Sequence, residues 1–276
     1  MNATDYYADA TGYPPSLSSS IAKLLLYRSP RHAWLAHPRL NPQYRPEESS
    51  RFDLGSAAHA LLVEGADKMA VIEADDWRTK AAKEARDAAR AEGKFPVLAY
   101  QWAAVKAMVE VCKTAIADSP DLQGYSLDQG IPEHSIVWHE GATYMRARLD
   151  WVSTDRRVIY DYKTTENAEP EAFLRQIFSL GYDVQGAFYL RANQRPDTKY
   201  VLIVQEIEPP YAVSFIGLSP DVIELGKRKV ERAITIWREC MEIGQWPGYP
   251  NRICYVEAPA WAWSKEEEQQ AQELAK

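Results

Sequence analysis

The sequence contains few cysteines and no long apolar run. Its three cysteines, Cys112, Cys240 and Cys254, lie far apart in the chain, and an odd number at such spacing argues against a disulfide framework. The role expected of each is that of a small buried apolar side chain. Because no run of about eighteen apolar residues occurs, no membrane-spanning helix is expected.

A secretory signal is also lacking. The first residues, Met1–Tyr7, have neither a basic n-region nor an apolar h-region, which favours a cytoplasmic protein. With 276 residues, 46% of them hydrophobic and 26% charged, the chain has the composition of a globular protein and is long enough to bury a substantial core.

Apolar periodicity, capping residues and prolines divide the chain into helices and strands. They predict helices over 17–27, 53–63, 77–92, 98–117, 170–180, 182–193 and 220–243, and strands over 132–138, 144–152, 158–165, 200–204 and 212–216. Asp53 is the expected N-cap of the second helix. An extended arm over 1–15 and a mobile acidic tail over 264–276 complete the prediction.

The stretch 144–165 carries the most informative polar residues. Asp150 lies near the end of its first strand and Asp161 near the end of its second, after a polar turn. Lys163 follows Asp161 by two residues, so both side chains leave the same face of the strand. Carboxylate oxygens are the ligands that hard cations such as Mg²⁺ prefer, so this stretch predicts a divalent-metal site with a cation beside it. The alternative is a hairpin with a solvated Asp–Lys pair, because Asp-x-Lys alone is a weak motif.

Two helices add polar side chains that could join this site. His59 lies in the middle of an apolar helix, where a lone histidine is ordinarily a core or boundary residue. Gln185 and Tyr189 lie one turn apart on one face of a later helix, where a tyrosine at the rim of the core is the ordinary alternative.

Taken in this order, His59, Asp150, Asp161-Tyr162-Lys163 and Gln185-x-x-x-Tyr189 resemble the PD-(D/E)xK nuclease superfamily. The narrower resemblance is to its branch of RecB-type nucleases and phage RecE (exonuclease VIII-like) enzymes, and it spans roughly residues 15–220. It implies a mixed α/β (α+β) fold in which helices flank the central mixed β-sheet of a restriction-endonuclease-like core, with N-terminal helical additions.

The resemblance implies a single nuclease domain over residues 1–276. Its parts would be a helical region at about 15–118, a sheet core at about 131–218, and a C-terminal helix and tail at 219–276.

The resemblance also implies roles for the site residues. Asp150, Asp161 and Lys163 would be catalytic, with the lysine positioning the nucleophile and stabilising charge. His59, the two aspartates and the backbone carbonyl of Tyr162 would bind Mg²⁺ or Mn²⁺, with two ions per site. An imidazole ligand suits Mn²⁺ better than Mg²⁺. Some RecB-type relatives hold an iron–sulfur cluster on four cysteines, which three cysteines cannot supply, so no cluster is expected.

Six further residues are expected at the site or on DNA: Glu133, Arg146, Arg148, Gln185, Tyr189 and Arg28. Glu133 resembles a strand glutamate of the relatives that adds a carboxylate to the site, although a charge at a strand start is the simpler explanation. Arg146 and Arg148 alternate with Asp150, so they are expected either to contact phosphates or to pair with the acids. Arg28 follows a helix that lies close to DNA in the relatives, or else it is a solvated cation at a helix end.

The net charge of −7 is unfavourable for a protein that binds DNA through its phosphates. The distribution of charge is more favourable, because five Lys or Arg stand against three Asp between residues 142 and 165. Part of the acidic excess lies in the tail, at Glu266–Glu268 and Glu273. We therefore expect a locally basic groove on an acidic body.

The function that the resemblance implies is that of a metal-dependent DNA exonuclease. It would degrade double-stranded DNA ends in the 5′→3′ direction and leave single-stranded DNA for recombination by a single-strand annealing protein. A nuclease of other polarity, a nuclease for single-stranded or flap DNA, and a non-catalytic DNA-binding subunit remain alternatives. Related exonucleases form homo-oligomeric rings, and the sequence does not choose between a ring and a monomer.

Overall fold

The computed structural model describes residues 1–45 and 54–274. Its helices are α1 (Ala3–Tyr7), α2 (Ser19–Tyr27), α3 (Pro30–Ala36), α4 (Leu54–His59), α5 (Lys80–Ala91), α6 (Ala99–Asp118), α7 (Pro170–Ser179), α8 (Tyr182–Asn193), α9 (Pro220–Ile243) and α10 (Ala260–Leu274). Its strands are β1 (Met69–Ile72), β2 (Phe95–Leu98), β3 (Gly130–Glu140), β4 (Thr143–Ser153), β5 (Val158–Thr165), β6 (Lys199–Glu206) and β7 (Val213–Gly217).

A five-stranded mixed sheet forms the centre of the molecule. Its strand order is β3-β4-β5-β6-β7, and neighbouring strands are antiparallel except for the parallel pair β5 and β6. Parallel neighbours need a crossover connection, which α7 and α8 supply. This mixed sheet with flanking helices confirms the predicted fold class.

Helices cover both faces of the sheet because its central strands are apolar on both sides. On the first face, Phe188 of α8 and Trp237 of α9 belong to one buried cluster with Leu149 of β4 and Leu202 of β6. On the second face, α6 packs its Met108 and Cys112 against Tyr160 and Ile203. Successive residues of β5 point to opposite faces, which sends Asp161 towards α8.

The cysteine prediction is correct at two positions and wrong at the third. Cys112 and Cys240 are buried, whereas Cys254 is exposed in the segment before α10. Burial follows from the helix faces that carry Cys112 and Cys240, while the segment around Cys254 runs over the surface with few apolar contacts.

Four elements that precede α6 were not expected from the sequence: α1, α3, β1 and β2. The arm at 1–15 contains the short helix α1, and Pro30 begins a new helix because proline is well suited to the first helical turn. Strands β1 and β2 pair in parallel on either side of α5. Each has four residues and little alternation, so no strand pattern is visible there. The predicted N-cap Asp53 lies outside the described residues.

The tail forms a helix where a mobile segment was expected. Helix α10 is rich in alanine, glutamate and glutamine, which have high intrinsic helix propensity, and none of its residues is buried. Trp261 and Trp263 are both exposed. Within the described part of the chain, no helix is both long enough and apolar enough to cross a membrane.

Candidate active site

The site begins where strands β4 and β5 separate. The two strands pair in register at Trp151–Tyr160 and Val152–Ile159. Beyond this point, the Asp150 carboxylate takes the place of a backbone carbonyl, because its Oδ2 accepts a hydrogen bond from the Tyr162 N–H at 2.9 Å. The bond fixes the Asp150 side chain in the gap between the strands.

His59, Glu133 and Asp150 form a cluster with the composition of a metal site. The His59 Nε2 lies 3.3 Å from Asp150 Oδ2 and 3.7 Å from Glu133 Oε1. One potential ligand atom from each residue lies within 4.8 Å of the other two. Two carboxylates and one imidazole suit a hard or borderline divalent cation such as Mg²⁺ or Mn²⁺. The structure therefore brings Glu133, for which a charge at a strand start was the simpler explanation, directly into the cluster.

Glu133 reaches this cluster from an unusual backbone conformation. Its φ is +49°, in the left-handed region that non-glycine residues occupy at a cost of about 1–3 kcal/mol. The paired residues on either side of it are Pro132 with Trp151 and His134 with Leu149, so the deviation is local to the position opposite Asp150. Such strain is typical of functional positions.

Asp161 and Lys163 lie together at the carboxyl end of β5, on the same face as their spacing predicts. The Lys163 Nζ donates to Asp161 Oδ1 at 2.8 Å and to the Tyr162 carbonyl at 3.3 Å. Asp161 is completely buried beside the cluster of His59, Glu133 and Asp150. The Tyr162 carbonyl therefore faces the site, as required of a backbone ligand.

Asp161 receives further hydrogen bonds from α8 and β6. Gln185 Nε2 donates to both carboxylate oxygens at 3.1 Å, and the Tyr200 hydroxyl donates to Oδ2 at 2.5 Å. Tyr189 Oη lies 3.4 Å from Gln185 Nε2. Gln185 and Tyr189 are both buried, so they support Asp161 from below and do not reach a DNA backbone. Of the two places expected for these residues, the site or the DNA, the structure puts both at the site.

Burial and charge set the ionisation of the two aspartates apart. Burial, reinforced by the nearby Asp150 charge and opposed by Lys163, raises the pKa of Asp161 to about 6. Burial would also raise the pKa of Asp150, but the charge of Lys163 and the hydrogen bond from His59 outweigh it and hold that pKa below its usual range. Asp150 is therefore ionised throughout the neutral range, whereas burial brings the pKa of Asp161 towards that range. Burial also raises the pKa of Glu133.

The pKa values of the two basic groups of the site are both raised. Burial lowers the pKa of Lys163, but the charges of Asp161 and Asp150 outweigh burial and raise the pKa above its ordinary value. Burial alone would lower the pKa of His59. The hydrogen bond of His59 to Asp150 outweighs the effect of burial, so the net shift of this pKa is upward. Lys163 is therefore a fixed cation at neutral pH, suited to stabilising negative charge and unsuited to accepting a proton.

The three arginines expected to contact DNA have different surroundings. Arg146 is buried, with its Nη1 3.0 Å from Asp9 Oδ1 and further hydrogen bonds to Ser16. Of its two expected contacts, Arg146 therefore makes one with an acid, and the N-terminal arm that crosses β4 covers it on the side where a phosphate would lie. Arg148 pairs with Glu133, which is the second of its two expected contacts, pairing with an acid of the site. Arg28 is exposed and donates to the Tyr249 hydroxyl at 3.2 Å.

A cleft of about 430 Å³ opens over the site. Its lining includes His59, Glu133, Arg148, Lys163, Tyr182 and, from the N-terminal helix α1, Tyr7. The sequence reasoning missed Lys23, whose Nζ donates to Gln185 Oε1 at 3.3 Å, together with Tyr182 and Tyr200. No local pattern marks these three, because each reaches the site through a long-range contact.

Gly55 sets the distance between α4 and the end of β5. A Cβ at this position would lie 2.2 Å from Thr164 Oγ1, far inside contact distance. Since residues four apart share a helix face, the close approach at Gly55 carries His59 towards Asp150. The sequence Gly55-x-x-x-His59 therefore works as one positioning unit.

We expect Gly55→Ala to destabilise the fold by about 1–3 kcal/mol, the usual cost of overpacking. It should also weaken Mn²⁺ binding, because α4 must move away from β5 and take His59 with it. Thermal melts and calorimetric Mn²⁺ titrations measure the two effects.

The Gly55→Ala/Thr164→Ala double variant should recover part of both losses, since it removes the clashing Oγ1. Gly217→Ala is the matched control, because a Cβ there meets nothing within 4 Å. Unchanged Mn²⁺ affinity in a destabilised Gly55→Ala protein would show that Gly55 does not position His59.

Comparisons with known proteins agree with this architecture. The family model described as "PDDEXK-like domain of unknown function (DUF3799)" matches residues 18–259, whereas none of the curated proteins matches. A crystal structure from Eubacterium rectale, of a protein described as a candidate exonuclease, matches 94% of this chain and 96% of its own at 14% identity and a TM-score of 0.60. At this identity the similarity shows a shared fold. The crystal structure of SSO0001 matches 66% of this chain and 84% of its own, at 14% identity and a TM-score of only 0.28.

Proposed function

The chain belongs to the PDDEXK-like family DUF3799, and we propose that it is a divalent-metal-dependent deoxyribonuclease. It would hydrolyse phosphodiester bonds in the cleft above Lys163. The observation that carries the proposal is the convergence of a fixed cation with metal-ligand side chains: the Lys163 ammonium lies 2.8 Å from Asp161, beside the cluster of His59, Glu133 and Asp150.

The residues present fit a divalent cation. Asp150 and His59 would hold it, with Glu133, Asp161 and the Tyr162 carbonyl as further oxygen ligands for one or two Mg²⁺ or Mn²⁺ ions. When bound, such an ion polarises a phosphoryl oxygen and makes water more acidic, which supplies a nucleophile near neutral pH.

The protein's own residues supply position and charge. Lys163 keeps its proton on Nζ and would stabilise the negative charge that develops on the phosphoryl oxygens. Asp161 fixes the Lys163 ammonium, and Gln185 and Tyr200 fix Asp161 in turn. Such second-layer hydrogen bonds keep a site organised before the substrate binds. Arg148 pairs with Glu133 at the cleft wall, where it would meet an incoming phosphate.

The finer proposal follows the RecE-like resemblance of the motifs. The enzyme would be an exonuclease that resects double-stranded DNA ends in the 5′→3′ direction. It would leave single-stranded DNA for a recombination partner of the annealing type. A homo-oligomeric ring is part of the same proposal, because ring-shaped oligomers occur among the exonucleases that the motifs resemble.

The test is digestion of a linear duplex that is labelled separately at each 5′ and 3′ end. The reactions contain Mg²⁺, Mn²⁺ or EDTA and are repeated with the Asp161→Ala protein. Early release of 5′ label that needs metal and is absent in the variant is the expected result. Early loss of 3′ label would keep the nuclease and overturn the polarity. DNA binding without cleavage in either metal would favour a non-catalytic DNA-binding subunit.

Metal affinity should fall as the pH is lowered, because Asp161 must lose its proton to bind a metal ion. A carboxyl group binds metal as the carboxylate, and burial raises the pKa of Asp161 to about 6. Protons therefore compete with the metal below pH 6, and affinity should fall about tenfold for each pH unit per proton displaced. His59 must also lose its proton to bind metal, and its raised pKa acts in the same direction.

Calorimetric Mn²⁺ titrations between pH 5 and pH 8 measure this dependence. In the Asp161→Asn protein, affinity should be weaker at pH 8 and should change less between pH 5 and pH 7. An affinity for Mn²⁺ that is the same at pH 5.5 and pH 7.5 would contradict Asp161 as a ligand.

A further inference from the structure

A row of alternating lysine and tyrosine side chains leads out of the cleft. We define the Tyr–Lys row as Lys163, Tyr182, Lys23, Tyr27 and Lys229, which come from β5, α8, α2 and α9. The proposed function uses Lys163 alone among these five residues, so the remaining four have no role in it.

The inner half of the row surrounds the Tyr182 ring with two ammonium groups. The Lys163 Nζ lies 5.3 Å from the centroid of this ring, and the Lys23 Nζ lies 5.8 Å from it. Both distances are within the range of cation–π contact. The ring is half-buried and lines the cleft, so the row starts at the catalytic residues.

The outer half continues along α2 to the surface. Tyr27 is one helical turn beyond Lys23, on the same face of α2. A Cβ on Gly181 would lie 2.8 Å from both Lys23 Cδ and Tyr27 Cε2, so the backbone just before Tyr182 passes between these two side chains. Lys229 then follows, with its Nζ 5.7 Å from the Tyr27 centroid and 3.3 Å from the Tyr27 hydroxyl.

The charges along the row favour a polyanion. Its carboxylate partners are Asp161, 2.8 Å from Lys163, and Asp183, 2.6 Å from Lys229. Both of these aspartates are completely buried, beneath the amines that they hold. Lys23 donates to the neutral amide oxygen of Gln185, which leaves its positive charge uncompensated by that contact. The exposed side chain of the row is Tyr27, and the side chains of Lys163 and Lys229 are partly exposed on either side of it.

This combination matches the chemistry of a single strand. Unpaired bases stack on aromatic side chains, and the phosphates between them bind cations. In a duplex the bases are already stacked and paired, so a tyrosine such as Tyr27, which is 40% exposed, finds no free base. We propose that the Tyr–Lys row binds single-stranded DNA adjacent to the catalytic cleft, with a base on Tyr27 and phosphates on the lysines.

The proposal rests on the proposed nuclease function for its choice of DNA, but its test does not need cleavage. Binding of fluorescein-labelled oligo-dT is measured by anisotropy in EDTA, with the full chain. We expect Tyr27→Ala to weaken binding about tenfold, the effect of losing one stacked base. Tyr27→Phe keeps the ring and should stay within about twofold of the wild type.

The matched control is Tyr100→Ala, which removes an exposed tyrosine on α6, outside the row. It should leave oligo-dT affinity unchanged. Lys23→Gln should reduce the salt dependence of binding, lowering the slope of log K against log salt by about 0.7 for one phosphate contact. A closed-end duplex should bind Tyr27→Ala and wild-type protein equally.

Two results would overturn the proposal. One is oligo-dT affinity that is the same for Tyr27→Ala and wild type, with both proteins folded by circular dichroism. The other is a Tyr27→Ala protein that loses as much affinity for the closed duplex as for oligo-dT. That result would show that the row contacts the DNA backbone and does not stack on bases. EDTA prevents metal-dependent cleavage, so the anisotropy assay measures DNA binding alone. A failure of the nuclease proposal would appear only in the digestion assay, and the two failures can therefore be told apart.

Discussion

A Lys163→Met protein is expected to lose about 10²–10³-fold in its rate of DNA cleavage, the usual effect of removing one group that stabilises transition-state charge. Methionine keeps most of the side-chain length and removes the ammonium group. The loss should appear mainly in kcat, because the charge that Lys163 stabilises develops during the reaction. Single-turnover digestion of a labelled duplex measures it.

The matched control for Lys163→Met is Lys199→Met. Lys199 begins β6 and is exposed. It pairs with Val158, at the other end of the parallel strand pair from Thr165. Its replacement should leave cleavage unchanged. Mn²⁺ affinity in Lys163→Met should be equal to or higher than in the wild type, because a cation next to the metal ligands has been removed. Cleavage at a near wild-type rate in Lys163→Met would refute the catalytic role of the lysine.

The second large effect is expected for Asp150→Asn. Two unit charges 4 Å apart near a protein surface interact by about 4 kcal/mol, so loss of one ligand charge should weaken Mn²⁺ binding by about 10²–10³-fold. The amide oxygen can still accept from the Tyr162 N–H, which bonds Asp150 Oδ2 at 2.9 Å. The fold should therefore be retained while metal binding and cleavage are lost together.

Asp150→Asn should also change His59. The hydrogen bond and charge of Asp150 raise the pKa of His59, so their removal should lower that pKa, which a histidine NMR titration follows without metal. Asp155→Asn is the matched control, because Asp155 lies in the turn of the same hairpin and is half exposed, at 50%. Metal-dependent cleavage by Asp150→Asn at a rate like that of Asp155→Asn would exclude Asp150 as a ligand.

Several features of the site follow from short sequence separations. Asp161 and Lys163 share a face because side chains alternate along a strand, and the observed 2.8 Å contact agrees with that spacing. Gln185 and Tyr189 share a face because four residues make about one helical turn. These relations depend on backbone geometry alone, so they can be read without knowledge of the fold.

Other features depend on segments that are distant in sequence. Tyr200 reaches Asp161 because β6 pairs in parallel with β5, and no pattern within β6 reveals that register. Arg146 has the same alternation with Asp150 as Arg148 has, yet the N-terminal arm buries Arg146 against Asp9 and leaves Arg148 at the cleft. Strand alternation gives the face of a side chain, but it does not reveal what covers that face.

The sequence by itself therefore determined most helices and strands and the pairing of Asp161 with Lys163, because these arise from local periodicity and short spacing. The order of its motifs determined the family resemblance, and the expected mixed α/β fold followed from that resemblance. Tertiary structure alone decided that Glu133 joins His59 and Asp150, since their three elements meet only through the sheet and the packing of α4 on β5. It also decided the ionisation of the site, because the raised pKa of Asp161 arises from burial and from neighbouring charges that the fold brings together.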